Sequence, residues 1–575
     1  MTLRFSAPPR RPLTLHAGVT ALAVLSLTLA GCASDTATTS DGALTDATAI
    51  ADLARPPAQD DPAAMPGGTL KLSSSQDPLC LDGGQVSTAA LQLVGRMIYD
   101  NLDALDADGK PTPSLATSWD IADGGKTYTF HLRRGVTFSD GTRFDAQAVV
   151  TNFDHWRDPA TKSPLAAAYI APIASTTVVD ASTLRVRLQY PYSAFLNVLA
   201  QGWLGFISPK QLASQSNAQI CQAPVGTGPF VVDRYTPAEG LTLSKREDYD
   251  WSASYLNHKG PAYLDRIEIS YVTEPTVRYS SLASGEYDAT DNIAPQNAAA
   301  IQANPNIDYH NISRQGNPQR IILNTSRAPF DDQRVRQAFA LGIDVDGIVK
   351  TIGFGQYDAE HSFLSPTTAG YDPGAQKRWK HDPKGAAKLL DAAGWSGRDK
   401  AGYRTNANGE RLTADFPVGQ STTPTPINDM IQAEAKKLGI EVVTQQVTAA
   451  QAQTERNNGD YDIQTGVWHT NTPDALYICY DSAEITTATR IGQNVSRLAD
   501  PELDSVLLKA RQTTDAAEQK KLYAQAERLL EDLVPAIPLY DFYTPWAVDT
   551  DVRNVLADSS HGVPLFTIAW KSVDG

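Results

Sequence analysis

The chain has 575 residues, of which 42% are hydrophobic and 8% aromatic. That composition belongs to a folded globular protein, and the length allows two or three domains. The net charge of −16 argues against an electrostatic nucleic-acid footprint and against a polybasic membrane patch.

The N-terminus carries Arg4, Arg10 and Arg11 with no acidic residue, then an apolar run from Ala17 to Ala30. The run is short for a bilayer span and has the length of a signal-peptide core, so residues 1–31 are predicted to be a signal peptide. It ends in Leu29-Ala30-Gly31-Cys32, which resembles the box of bacterial lipoproteins. The resemblance implies that the Cys32 thiol takes a diacylglycerol and becomes the first mature residue. Arg10-Arg11 partly matches a twin-arginine export signal, but Pro12 spoils the match, and Sec export stays open. Removing residues 1–31 takes away three positive charges and no negative one, so the lipid has to hold the acidic body at the membrane. Residues 33–68 are rich in Ala, Thr, Ser, Asp and Pro without apolar periodicity, the composition of a disordered tether, with a reach of roughly 30–35 Å.

Thr69-Leu70-Lys71-Leu72 opens the folded part as a strand, followed by a Ser/Pro/Gly-rich loop to about Gln85 and a helix with Leu91, Val94, Met97 and Ile98 on one face. In Lys126–Phe153, Tyr128, Phe130 and Leu132 alternate with polar residues as in a half-buried strand, which Val136 and Phe138 are expected to resume. Ser139-Asp140-Gly141-Thr142 supplies a turn, and Asp145 caps a helix carrying Val149, Phe153 and Trp156. Val178-Val179-Asp180 and Leu184–Leu188 read as a hairpin, Ile267–Val272 as a strand, and Val277–Gly285 as a helix with a glycine stop. Helices are further predicted in 329–349, from Asp382-Pro383 onward, in 433–438 and, as a pair, in 500–540. The strand–helix–strand rhythm is that of an α/β protein.

Several of these strings, in order, resemble the extracytoplasmic solute-binding proteins of family 5, the dipeptide- and oligopeptide-binding group: Pro113–Trp119, Lys126–Phe153, Pro224–Phe230, Gly285–Ala289, and the stretches 329–349, 382–390, 433–443 and 500–540. The resemblance spans about 69–545. It implies a type II, two-lobed, hinged periplasmic-binding-protein-like α/β fold with an inserted domain, the solute buried between the lobes on closure. The implied parts are the tether at 32–65, a discontinuous first lobe at 66–98, 225–313 and 542–575, the inserted domain at 99–224 and the other lobe at 314–541. It also implies a monomer on the extracytoplasmic face of the cell membrane, or in the periplasm, that hands its solute to the permease and ATPase subunits of an ATP-binding cassette importer.

Three cysteines remain after Cys32, which in an oxidising compartment leaves room for one disulfide and one thiol. Cys80 and Cys221 both lie in irregular stretches and are the favoured pair, with Cys479 left over. No histidine stands at ligand spacing from a cysteine, and no metal or cofactor is expected. No nucleophile elbow, zinc-protease helix, phosphate loop or dinucleotide fingerprint occurs, so the chain is not read as an enzyme, with a secreted hydrolase the remote alternative. Pro224–Phe230 is read as a structural crossover: Gly226 and Gly228 permit a tight backbone path, and a strand follows them instead of a helix.

The stretch expected to bind solute is 459–481, a strand ending near Thr465 followed by a loop with Trp468, His469, Asn471, Asp474 and Tyr477, aromatic and polar groups suited to a cleft. In the peptide-binding relatives an Asp of this loop holds the peptide amino group; Asp474 matches the second Asp of that pattern, whereas Thr472 replaces the first. The arginine that dipeptide-binding relatives direct at the carboxylate has no match in 416–428. A peptide-class solute is expected, with an oligosaccharide or a metal chelate as alternatives. From the first lobe, alignment with the relatives implies Gln85, Ser87 and Asn292.

Overall fold

The computed structural model describes residues 61, 63–374, 379–419, 426–487, 490–558 and 562–572. The expected signal peptide, Cys32 and most of the tether lie outside the described residues. Three groups of sheets organise the rest. The largest has seven strands in the order 307–313, 543–549, 289–291, 69–74, 266–271, 240–245 and 230–236, so it draws on both ends and the middle of the chain. Its centre is parallel: Leu70 faces Ile267 and Leu72 faces Ile269, all of them buried, as parallel pairs require.

A four-stranded antiparallel sheet takes Ala116–Ala122, Thr127–Leu132, Thr183–Leu188 and Ile173–Asp180, in that spatial order. Tyr128, Phe130 and Leu132 turn inward and Thr127, Thr129 and His131 are half-buried, the alternation read from the sequence. The helix Ala146–Arg157 packs Val149, Phe153 and Trp156 onto the same core. Its first turn is closed by the Asp145 carboxylate, which accepts from the Ala148 N–H at 2.9 Å. Val136 and Phe138 are buried in that core but do not resume a strand; only a single bridge, Thr137 to Arg143, forms there. Apolar alternation reports burial on one side, and a tight loop can satisfy it as well as a ladder.

The third group is the antiparallel sheet Ile463–Gly466, Gln319–Leu323, Ala536–Tyr540, with a parallel pair Thr413–Gly419 and Glu441–Val447 beside it. Around it stand the helices Gln333–Gly342, Pro383–Ala392, Pro426–Leu438, Pro501–Gln512 and Ala516–Leu533. Asp332 and Asp382 cap the first two through backbone N–H groups, and Gly439 ends the third at φ 85°.

The chain passes between groups at Pro224–Phe230. A Cβ on Gly226 would stand 1.9 Å from the Ile98 carbonyl oxygen, and one on Gly228 2.5 Å from the Ile98 carbonyl carbon. The two glycines are there because the crossing backbone lies directly on the end of the helix Ala89–Ile98. Cys80 and Cys221 are bonded, with Cα atoms 4.7 Å apart, and Cys479 is a buried thiol.

Candidate functional site

The strand Ile463–Gly466 lies antiparallel on Gln319–Leu323, with Gly466 opposite Arg320. Beyond it the chain stays on the 314–317 segment: the Asn317 N–H donates to the Trp468 carbonyl at 2.9 Å, and Gly316 bridges to His469. Gly316 sits at φ 113°, and a Cβ there would lie 2.3 Å from the Trp468 carbonyl oxygen, so the turn can form only on glycine. Residues 475–480, expected as loop, form a short helix, which places Tyr477, Cys479 and Tyr480 inside.

Asp474, at the start of that helix, is the centre of a buried polar group. Its Oδ2 accepts from the Tyr192 hydroxyl at 3.2 Å, and its Oδ1 lies 3.5 Å from Arg511 Nε. The Arg511 guanidinium is stacked between two rings, 4.0 Å from Tyr477 and 4.6 Å from Tyr192. Burial pushes the Asp474 carboxyl up against the opposing pull of Arg511. Burial also works against the charge on Arg511, but Asp474 and the tyrosines outweigh it and hold the guanidinium protonated.

Tyr192 belongs to the segment carrying the four-stranded sheet, whereas Asp474 and Arg511 belong to the three-stranded group, so this contact joins two parts of the molecule. Others reinforce it. The Ser193 N–H and Oγ–H both donate to the Arg511 carbonyl, at 3.0 and 2.8 Å, and the Asn471 amide donates to the Asn197 carbonyl at 2.9 Å. Beside them opens a cleft of about 270 Å³, with Asp108, Ser193 and Asn197 on one wall and Thr472, Asp474 and Gln519 on the other.

The residues expected to bind are not all brought together. Asn471 and Asp474 line the cleft. Trp468 packs between the core under the four-stranded sheet and the core around Tyr480, with its indole N–H enclosed and without a partner among the described residues. His469 faces Phe542, ring centres 5.0 Å apart, and Tyr477 serves as the platform for Arg511. Asn292, at φ 50°, lines a separate cavity of about 110 Å³ with Ser74, Gln76 and Arg314. Gln85 and Ser87 line neither space. The Gln85 amide donates to Asp82 and to the Asn217 carbonyl, and Asp82 in turn holds His155 at 2.8 Å, a network that fixes the loop; Ser87 is exposed. Both sit in the loop that follows Cys80, which is bonded to Cys221.

Arg511, Tyr192 and Arg320 fall outside the sequence expectations. A signal for Arg511 is present in the sequence: it follows Leu503, Leu507 and Ala510 on the buried face of Pro501–Gln512, where a charge is out of place. Arg320 is buried directly before the apolar, buried residues Ile321–Leu323 of its strand. Tyr192 carries no such mark.

The family model described as bacterial extracellular solute-binding proteins, family 5 Middle, matches residues 110–484. The glutathione-binding protein GsiB of Escherichia coli (strain K12) is 29% identical over 466 residues, 80% of this chain and 86% of that protein. Two solved structures superpose closely. DppA, an ABC transporter-associated periplasmic binding protein from Helicobacter pylori in complex with peptide STSA, has a TM-score of 0.74 at 24% identity, covering 88% of this chain and 98% of that one. NikA from Brucella suis in complex with Fe(III)-EDTA has a TM-score of 0.76 at 22% identity, covering 88% and 100%. These likenesses establish the two-lobed, type II mixed α/β fold.

Proposed function

Because the chain belongs to the bacterial extracellular solute-binding proteins of family 5, we propose that it is a lipid-anchored receptor that encloses a peptide-class solute between its lobes and delivers it to the permease of an ATP-binding cassette importer. It acts by binding and release and catalyses no reaction. In this reading the lobes follow the partition expected from the sequence, the discontinuous first lobe at 66–98, 225–313 and 542–575, the inserted domain at 99–224 and the other lobe at 314–541. What supports the reading is the set of contacts made by Tyr192, Ser193 and Asn197 with Asp474, Arg511 and Asn471 at the rim of the 270 Å³ cleft. Such contacts exist only when the two parts are together, so a solute that bridges them selects that state.

Asp474, which matches the second Asp of the loop pattern that holds the amino group in peptide-binding relatives, already carries Tyr192 and Arg511. Its negative charge is offset inside the protein, which weakens it as an anchor for an ammonium. We assign it to the closed contact first and to the solute second.

The test is a change in Trp fluorescence of the purified protein on titration with tripeptides, an oligosaccharide and a metal chelate, with Trp468 as the reporter. A saturable response to peptides is expected. A response to the sugar or the chelate alone moves the reading to that solute class, and no response to any of them overturns it. For the anchor, Cys32→Ser is expected to move the protein from the membrane to the soluble fraction; a variant still recovered in the membrane refutes lipidation at Cys32.

A further inference from the structure

The four-stranded antiparallel sheet has two unlike faces. Leu184, Val186 and Leu188 of its strand Thr183–Leu188 are buried in the core, whereas Arg185 and Arg187 stand exposed on the other side. Strand pairing puts hydroxyls beside each arginine: Thr129 and Thr177 flank Arg185, and Thr127 and Ser175 flank Arg187. Opposed residues share a face, so the two guanidinium groups start roughly 7 Å apart along one strand, each between hydroxyls at the strand spacing of about 4.8 Å. Together with Lys126 these side chains line an open groove of about 860 Å³.

Opposite-charge pairs across strands stabilise a sheet, yet Lys126, Arg185 and Arg187 form no ion pair among the described residues. The carboxylates of this sheet and its turns are committed elsewhere: Asp120 to His131 at 3.0 Å, Asp123 to the Thr127 hydroxyl at 2.6 Å and Asp180 to the Ser182 N–H at 2.8 Å. The charge of the whole chain conceals this face. Residues 99–224 hold ten Lys and Arg against eleven Asp and no Glu, a net of −1, whereas the chain as a whole carries −16. The two edge strands add exposed aliphatic side chains, Ile121 at 52% on one and Val179 at 49% on the other.

We propose that this sheet face is a docking surface for the anionic phosphate headgroups of the membrane to which the chain is tethered. A guanidinium pairs with phosphate oxygens through two parallel N–H bonds, and the flanking hydroxyls add a donor on each side. A lipid surface also covers the aliphatic side chains at the edges, which a soluble anion leaves in water. The rest of the body carries nearly all the negative charge and is repelled by the same surface, so the membrane selects one orientation. Each cation raises affinity for an anionic leaflet about 5-fold. Three of them orient a tethered body but do not replace its lipid. The inference rests on the lipid-anchor reading above; its test omits the anchor, so either can fail alone.

The test is flotation of the mature chain begun at Ala33, without signal peptide or lipidated cysteine, on two kinds of vesicle. One contains phosphatidylglycerol and phosphatidylcholine in equal parts, the other phosphatidylcholine alone. Association with the anionic vesicles is expected at about 0.02 M salt and is lost at about 0.5 M, where screening confines the attraction to a few Å; none is expected with the neutral vesicles. Arg185→Gln combined with Arg187→Gln should weaken the association about 5- to 30-fold at unchanged melting temperature, since both side chains are exposed. Arg185→Lys with Arg187→Lys keeps the charge and should keep the association. If the glutamine pair does not fold, Lys126→Gln alone is expected to weaken it about 2- to 5-fold. Lys384→Gln with Lys388→Gln removes two charges from the helix Pro383–Ala392 and should change nothing; an equal loss there means unspecific attraction and overturns the inference. So do failure to float with the anionic vesicles at low salt, equal flotation with the neutral ones, and a glutamine pair that floats like the parent. Retention by dextran sulfate without flotation assigns the face to a soluble polyanion and overturns the membrane as its occupant.

Discussion

Glu527 illustrates how far a single side chain's chemistry is set by its surroundings. It lies on the helix Ala516–Leu533, 1% exposed, and its Oε1 accepts from the Ser362 hydroxyl at 2.6 Å while Oε2 has no partner among the described residues. Burial, together with Asp372, Glu531 and Glu360, pushes its pKa from 4.5 to about 8. A folded-state value above the unfolded one means that the folded chain holds the proton in the window between them. The associated stability is therefore full below 4.5 and is lost as pH rises through about 8. Glu527→Gln, which imitates the protonated acid and keeps an acceptor for Ser362, is expected to leave the melting temperature unchanged near the ordinary carboxyl value of about 4. Above pH 8 it should raise stability by on the order of a few kcal/mol, read from melting curves across that range. Residues of this kind are hard to find in a sequence, since Glu527 reads as one of many helix-surface acids. Arg511 was findable, because it falls on an apolar face; Tyr192 was not, because a tyrosine among apolar residues looks like packing whether or not its hydroxyl reaches a carboxylate in another part of the fold.

At the scale of elements, most of what the sequence promised is present, because local causes were sufficient. Asp145, Asp332, Asp382 and Gly439 mark helix ends by hydrogen bonding or backbone freedom that needs no distant partner. The failures were short pieces. Residues 475–480 make six residues of helix, too few for a 3.6-residue period to declare itself, and Val136 with Phe138 alternate without a ladder. Gly226 is the element-level feature most open to test. Its φ is ordinary, so the demand for glycine is purely steric, and Gly226→Ala puts a methyl group on the Ile98 carbonyl. The substitution is expected to cost about 1–3 kcal/mol in denaturant unfolding, or more if the crossing cannot shift; a cost near zero would mean that the helix end and the crossing strand are not in contact in solution.

For the whole molecule the deciding events are the covalent tie and the closure. The Cys80–Cys221 bond spans 141 residues, so Cys80→Ser with Cys221→Ser is expected to lower stability by about 2–5 kcal/mol, chiefly by freeing the unfolded chain, measured by urea unfolding. Closure is tested at Asn471, whose amide reaches the Asn197 carbonyl across the cleft. Asn471→Ala is expected to weaken solute binding roughly 3- to 10-fold, through a smaller closed population, with little change in melting temperature of the free protein; unaltered affinity would remove this contact from the mechanism. What the sequence determined by itself was the inventory of strands and helices, the buried alternation and capped helix of Lys126–Phe153, the favoured cysteine pair and the family, because periodicity, caps and ordered strings are local properties that survive without coordinates. What only the tertiary structure decided was which polar groups meet. Tyr192 and Asp474 stand 282 positions apart, and Arg320 reaches Cys479 across 159; the docking of separately formed parts sets those distances, and no local pattern encodes it.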